Sequence, residues 1–129
     1  MATAFGYPRT ASLRQPAEFT ELRRQGKRMA ARFFQTQYRL TDGPQARLGM
    51  AVSRRVSKHA VVRNRIRRVI RESFRLNRAR LPACDVLLIA QTTAAERGSS
   101  ELRADLESLW QRLAALKYAD PAGTMPARS

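Results

Sequence analysis

The chain of 129 residues has a single cysteine, Cys84, and a single histidine, His59. One cysteine excludes an intrachain disulfide and fits a reducing compartment, so we expect a cytoplasmic protein. One cysteine and one histidine cannot supply the four ligands of a structural zinc site. The sequence also lacks a histidine pair, an Asp-x-Asp motif and a glycine-rich phosphate loop. We therefore expect no catalytic set belonging to the protein alone and no cofactor bound by it.

Acidic residues are scarce as well, because ten Asp and Glu stand against 25 Lys and Arg, which gives a net charge of +15. Such an excess predicts a phosphate-rich partner. No apolar run approaches the roughly 18 residues that cross a bilayer, and the longest, Val86 to Ala90, predicts a buried strand. An anionic membrane is the competing partner. The basic segment lacks a second insertion anchor, however, so we expect no membrane role.

The basic residues are concentrated between Arg54 and Arg80, where eleven Arg or Lys accompany one acid, Glu72. Helical spacing divides the centre of this segment into an apolar side and an arginine-rich side. Neighbouring arginines on one helix face repel by a few tenths of a kcal/mol per pair, so a polyanionic partner best explains them. The apolar side carries Val62, Ile66, Val69, Ile70 and Phe74. The basic side carries Asn64, Arg67, Arg68, Arg71, Arg75 and Arg78.

Periodicity and turn residues predict an α/β (α+β) two-layer sandwich in the order αβ(β)βαβα, with a mostly antiparallel sheet of about four strands. The predicted helices are 16–25, bounded by Pro16 and Gly26, then 60–80, and a leucine-rich helix ending near Leu116. The predicted strands are 28–40, interrupted near residue 30 or 31, an antiparallel strand at 47–53, and an interior strand at 84–91. We expect a flexible basic arm at 1–15, one domain at 16–118 and a disordered tail at 119–129.

The aromatic residues of the first strand predict a second contact surface. Each of Phe33, Phe34 and Tyr38 is either part of the core or a platform for an unpaired base, and stacking contributes about 1–3 kcal/mol per base. Because one short helix cannot cover both faces of a strand, we expect some of these three rings to be partly exposed. Such platforms beside basic residues favour RNA, although a basic helix alone could equally enter a DNA major groove.

Two segments carry a resemblance to a known family. Arg47-Leu-Gly-Met-Ala-Val-Ser-Arg-Arg-Val56 is followed by Ala60-Val-Val-Arg-Asn-Arg-Ile-Arg-Arg-Val-Ile-Arg-Glu-Ser-Phe74. Together they closely resemble the protein subunit of bacterial ribonuclease P, including its "RNR" signature. The likeness extends from about Leu13 to Lys117. It departs mildly at Ser57-Lys58-His59, where many family members have a glycine and a shorter connector.

The resemblance implies a left-handed β-α-β crossover through the signature helix, an exception to the usual right-handed rule. It also implies the function of a protein subunit of an endoribonuclease that removes the 5′ leader from precursor tRNA. In that family the catalyst is a large RNA that requires Mg²⁺. The protein aids substrate binding, and we expect no DNA partner.

The resemblance further assigns two groups of residues. The expected contacts with the catalytic RNA are Arg54, Arg55, Lys58, Arg63, Asn64, Arg65, Arg67, Arg68, Arg71 and Arg75. The expected contacts with the single-stranded leader, in a cleft between the first helix and the sheet, are Phe19, Phe34, Tyr38 and Ser53. The alternative is a ribosomal or RNA-chaperone protein with no role in cleavage. A protein-only nuclease would need carboxylate clusters that this sequence does not have.

Overall fold

The computed structural model of the chain describes residues 16–43 and 45–116, without the side chains of residues 16, 18, 19 and 25. The predicted arm, the predicted tail and residues 117 and 118 lie outside the described residues, so the domain bounds stay predictions. Within the described part, no helix has the length and apolar composition that crossing a membrane requires. The elements are α1 (Pro16–Gln25), β1 (Lys27–Ala30), β2 (Phe34–Leu40), β3 (Arg47–Ala51), α2 (Ala60–Asn77), β4 (Cys84–Ala90) and α3 (Ser99–Ala115).

The four strands form one sheet in the order β1-β2-β4-β3. β2 pairs antiparallel with both β1 and β4, which confirms the predicted mostly antiparallel α/β sheet. The expectation that β3 is an antiparallel strand is wrong, because β3 runs parallel to β4. The chain leaves the end of β3, passes through α2 and re-enters the sheet as β4, so the two strands run the same way. The handedness of this crossover stays a prediction.

The main core lies on the sheet face that α2 and α3 cover. Phe34, Leu88 and Trp110 are among its fully buried side chains. The ring of Trp110 lies 5.6 Å from that of Phe74, and its Nε1 donates a 2.8 Å hydrogen bond to Ser73 Oγ. Two long helices, rather than one short helix, therefore cover this face of the sheet.

A smaller core lies on the opposite sheet face, where Leu22 of α1 packs on Leu87 with Ile89 beside it. Gly26 directly follows the last residue of α1, and its amide makes the final helical hydrogen bond, to Leu22 O at 2.7 Å. A Cβ atom at Gly26 would lie only 2.4 Å from that same oxygen, which only glycine avoids. The short helix therefore meets β1 and β2 at a close approach of two backbones.

The predicted interruption of the first strand is a break between β1 and β2. Asp105 of α3 is buried there and accepts hydrogen bonds from the amides of Arg32 and Phe33, both at 2.9 Å. The carboxylate satisfies two amides that leave the sheet at this point. The predicted helix 60–80 is α-helical up to Asn77 and continues as a 3-10 helix over Arg78–Arg80. At the change, Asn77 Nδ2 donates to Ser73 O at 2.7 Å.

Candidate nucleic-acid interfaces

The centre of the basic side of α2 is exposed. Asn64, Arg68 and Arg71 all point to solvent on the side opposite the buried Ile66 and Ile70. Within the described residues, neither the Arg68 nor the Arg71 side chain makes a hydrogen bond or an ion pair. Their guanidinium groups are therefore available to a partner without breaking an existing contact.

Two arginines among the expected RNA contacts, Arg63 and Arg67, are anchored to the connector, residues 52–59, that joins β3 to α2. Arg63 Nη1 donates to Ser57 O at 2.9 Å, and Arg67 Nη2 donates to Val52 O at 3.2 Å. Arg67 Nη1 also donates to Asn64 Oδ1 at 3.0 Å. These two side chains fix backbone carbonyls at both ends of the connector, so part of their role is structural.

The other flank of the helix is anchored towards α3. Arg65 Nη1 lies 3.5 Å from Ser99 Oγ, and Arg75 Nη2 lies 3.8 Å from Glu72 Oε2. Glu72 also approaches Arg103 of α3 at 4.0 Å. The basic side of α2 therefore has a central strip, Asn64, Arg68 and Arg71, whose side chains are exposed. On each side of this strip lie arginines that contact the connector or α3.

The connector itself presents basic side chains outward. Ser53 Oγ accepts the amide of Arg55 at 3.2 Å, and Val56 turns inward and is buried. A second turn of the same kind joins Ser57 Oγ to the amide of His59 at 3.1 Å. Around the buried valine these turns leave Arg54, Arg55 and Lys58 exposed.

A groove between α1 and the sheet forms the second candidate surface. It encloses about 630 Å³ and opens to solvent. Its lining includes two exposed arginines and three glutamines around an aliphatic side chain. These residues are Arg23 of α1, Arg28 of β1, Gln35 and Gln37 of β2, Ile89 of β4, and Gln91.

The predicted aromatic residues of this groove need a correction. Tyr38 pairs with Val86 and Phe34 with Ala90, so both aromatic side chains point to the main core on the other face. Phe34 borders the groove but is 0% exposed, and Tyr38 is 9% exposed. Phe33 is 5% exposed, which makes the expectation of a partly exposed ring on this strand wrong. Neither Phe34 nor Tyr38 offers a ring face to a base.

The two other residues expected to contact the leader are Phe19 and Ser53. The side chain of Phe19 lies outside the described part of the structure, so its predicted role is unchanged. Ser53 is exposed just beyond the end of β3, on the same alternation as Gly49 and Ala51. It is not among the groove residues, which come from α1, β1, β2 and the end of β4.

Sequence reasoning missed Gln35 and Gln37 as groove residues. Gln37 pairs with Leu87 and Gln35 with Ile89, which places both amides on the α1 side of the sheet. The alternation of β2 already separated these amides from Phe34 and Tyr38. The apolar content of the two long helices could have revealed this, because such helices pack on the more apolar face of a strand. On β2 that face carries Phe34 and Tyr38, which leaves the glutamines for the α1 side.

A buried ion-pair cluster joins three strands on the α1 side of the sheet. Asp85 is 3% exposed and accepts from Arg47 Nε at 3.0 Å and Arg47 Nη2 at 3.1 Å. Arg39 Nη2 approaches the same carboxylate at 3.4 Å. Burial, with a smaller contribution from the neighbouring Asp85 charge, raises the pKa of the Cys84 thiol from 9.0 to about 12. The buried cysteine is therefore a neutral residue of the main core.

The described residues contain no group of three or more His, Cys, Asp or Glu side chains able to hold a metal ion. The two surfaces offer positive charge, amides and one open groove. Such groups can bind and orient a polyanion.

Comparison with known proteins links this architecture to one family. The family model described as Ribonuclease P matches residues 7–114. The ribonuclease P protein component of Thioalkalivibrio sulfidiphilus is 34% identical over 113 residues, covering 88% of this chain and 94% of that protein. That of Xanthomonas axonopodis is 37% identical over 120 residues, covering 93% of this chain and 82% of that protein.

Solved structures agree with the sequence relatives. The ribonuclease P protein of Staphylococcus aureus superposes with a TM-score of 0.74 at 27% identity, covering 79% of this chain and 94% of that one. The ribonuclease P protein of Thermotoga maritima gives a TM-score of 0.71 at 27% identity, covering 78% of this chain and 96% of that one. Sequence and fold therefore point to the same relatives.

Proposed function

We propose that the two surfaces of this chain bind different RNAs, because the chain belongs to the ribonuclease P protein family. Members of this family are the protein subunit of a ribonucleoprotein endonuclease that processes tRNA. The α2 strip and its connector dock on the catalytic RNA. The groove beside α1 holds the single-stranded 5′ leader of precursor tRNA. The observation that carries this division is the free arginine strip around Arg68, which lies on an element separate from the groove.

Docking on the catalytic RNA is supported by charge and exposure. Six residues of the strip and connector point to solvent, and five of them are cationic: Arg54, Arg55, Lys58, Asn64, Arg68 and Arg71. If these five cations neutralise about five phosphates, log K should fall with log[salt] at a slope of about −4. Filter binding of the catalytic RNA across a salt series measures this slope. A slope near zero would show that these cations do not contact phosphates.

Leader binding is supported by the shape and charge of the groove. The side chains of Arg23 and Arg28 are exposed beside it and make no hydrogen bond or ion pair with another described residue. Two cations that line an open groove, one on α1 and one on β1, suit a phosphodiester backbone that runs along it. The amides of the groove would then meet the bases.

The test compares precursor tRNA with mature tRNA, which lacks the leader, on the reconstituted holoenzyme. The double change Arg23→Ala plus Arg28→Ala should weaken precursor binding several-fold and leave mature tRNA binding unchanged. Arg112→Ala, an exposed arginine on α3 outside the groove, is the matched control. Equal losses for both tRNAs would contradict the leader assignment. Phe19→Ala, followed with a thermal melt, tests the remaining aromatic candidate in the same assay.

Cleavage in this proposal belongs to the RNA subunit with its Mg²⁺, and the protein works in the cytoplasm where tRNA is processed. This division of labour rests on the family, whose members are protein components of a ribonucleoprotein enzyme. RNA-free protein mixed with precursor tRNA and Mg²⁺ should cut nothing, whereas adding the catalytic RNA should restore 5′ cleavage. An RNA chaperone, the alternative function, would bind RNA without raising that cleavage rate.

A further inference from the structure

The connector is tied to α2 by two guanidinium groups. Ser57 O, near the start of the helix, accepts from Arg63 Nη1 at 2.9 Å, and Val52 O, at the far end of the connector, accepts from Arg67 Nη2 at 3.2 Å. Because the earlier carbonyl meets the later arginine, the connector runs back along the first turns of the helix. The two arginines are four residues apart, so their side chains leave the helix on the same side.

Arg67 also joins the connector to the central strip of α2. Its Nη1 donates to Asn64 Oδ1 at 3.0 Å, while its Nη2 donates to the Val52 carbonyl. Asn64 belongs to the strip and Val52 to the connector, and the Arg67 side chain is half-buried between them, whereas Arg68 is exposed. One side chain therefore fixes the strip and the connector relative to each other.

Contacts within the connector fix its shape. The amide of Val56 donates to Ser53 O at 3.0 Å, and the amide of Arg55 donates to Ser53 Oγ at 3.2 Å. Val52 and Val56 are both buried in the main core. These contacts set the shape and depth of the connector, and the two arginine bonds set its position along α2.

We propose that Arg63 and Arg67 are positioning residues for RNA docking, which act on the catalytic RNA through the connector. This inference rests on the proposed docking of α2 and the connector on that RNA. A loop that is ordered before binding has already lost its conformational freedom, so its contacts with phosphates cost less entropy. The cations held in place beside the strip are Arg54, Arg55 and Lys58.

The experiment is a double-mutant cycle on binding of the full chain to the catalytic RNA, below the melting temperature of every variant. Arg55→Ala removes a connector cation and keeps the amide that forms the turn. Arg67→Ala releases the connector from the helix. The matched control is Asn77→Ala, which breaks the 2.7 Å bond to Ser73 O at the other end of α2 and lowers stability without touching the connector. The readouts are the dissociation constant and the hydrogen exchange of the connector amides.

In the unaltered protein and in Asn77→Ala, adding Arg55→Ala should weaken RNA binding about fivefold, the loss of one exposed charge contact. In Arg67→Ala the same change should cost about twofold or less, because the released connector no longer presents its cations in place. Exchange of the connector amides should rise in Arg67→Ala and not in Asn77→Ala. Arg63→Ala should give the same result as Arg67→Ala.

A loss of stability alone would not produce this coupling, because Asn77→Ala shares that loss. Undiminished cost of Arg55→Ala in the Arg67→Ala background, or unchanged exchange of the connector amides in Arg67→Ala, would overturn the inference. If Arg55→Ala and Arg68→Ala both leave RNA binding unchanged, the docking surface itself is refuted. If both weaken binding but the losses from Arg55→Ala and Arg67→Ala multiply, the docking surface stands and only the positioning role is overturned.

Discussion

Arg67 and Val52 are joined by a 3.2 Å hydrogen bond from a guanidinium nitrogen to a backbone carbonyl. The bond connects the signature helix to the segment that follows β3, across fifteen residues of sequence. Arg68, the next residue along the helix, is exposed and has no such contact with another described residue. Of these two adjacent arginines, Arg67 therefore stabilises the fold, whereas Arg68 is available to bind a partner.

Arg67→Ala should lower the stability of the protein. It leaves the Val52 carbonyl without its donor and frees one end of the connector, a loss of about 1 kcal/mol. We expect the melting temperature to fall by roughly 4 °C, measured by circular dichroism. Arg63→Ala, which releases Ser57 O, should behave similarly. A melting temperature identical to that of the unaltered protein would show that the connector holds without these bonds.

Arg68→Ala should act on binding alone. The salt slope for the catalytic RNA should become shallower by about one unit, because one phosphate contact is lost. The melting temperature should not change, since the side chain is exposed and unpaired within the described part. The control is Arg112→Ala on α3, which should leave the slope intact. A lower melting temperature with an unchanged salt slope would show that Arg68 has a structural role and does not contact a phosphate.

Phe34→Ala should damage the core rather than leader binding. The ring is fully buried against the main core, and removing a buried phenylalanine costs about 3–5 kcal/mol. Urea unfolding should show this loss. Under conditions where the variant remains folded, its holoenzyme should keep the ratio of precursor to mature tRNA affinity. A selective loss of precursor affinity in a fully stable variant would return Phe34 to the groove.

Asp85→Asn should destabilise the sheet because it removes the buried negative charge between two arginines. Breaking a buried pair costs about 3–5 kcal/mol, and the expected loss lies below that range because Arg39 and Arg47 are 35% and 36% exposed. Glu21→Gln, which breaks the exposed pair with Arg24, is the control and should cost about 0–1 kcal/mol. Equal losses for the two variants in urea unfolding would contradict a structural role for the cluster.

Cys84 should make stability depend on alkaline pH. Its pKa is about 12 in the folded protein and 9.0 as its ordinary value, so the folded state holds the proton more tightly. The contribution is complete below pH 9.0 and is lost as the pH rises from there to about 12. Cys84→Ala should have a flatter decline in unfolding free energy over this window. Equal slopes, or rapid reaction of the native thiol with an alkylating reagent at pH 8, would contradict this prediction.

The element types and their approximate bounds could be read from the sequence because they depend on local pattern. Pro16 and Gly26 delimit α1 as predicted, and the apolar run from Cys84 is the interior strand β4, also as predicted. The strand break near residue 30 was expected as well. Its cause was not predictable, since the carboxylate that stabilises it belongs to Asp105, more than seventy residues away.

The sequence by itself determined the charge, the order of elements and the family, because composition, periodicity and the RNR signature are properties of consecutive residues. Only the tertiary structure decided which face of β2 meets α1 and which arginines are free. Strand alternation defines two faces without saying what covers each, and pairing with β4 assigned Gln37 to the groove and Tyr38 to the core. The partner of an arginine side chain likewise depends on which backbone groups the fold places near it. Arg67 therefore donates to the Val52 carbonyl, whereas the side chain of Arg68 is exposed to solvent.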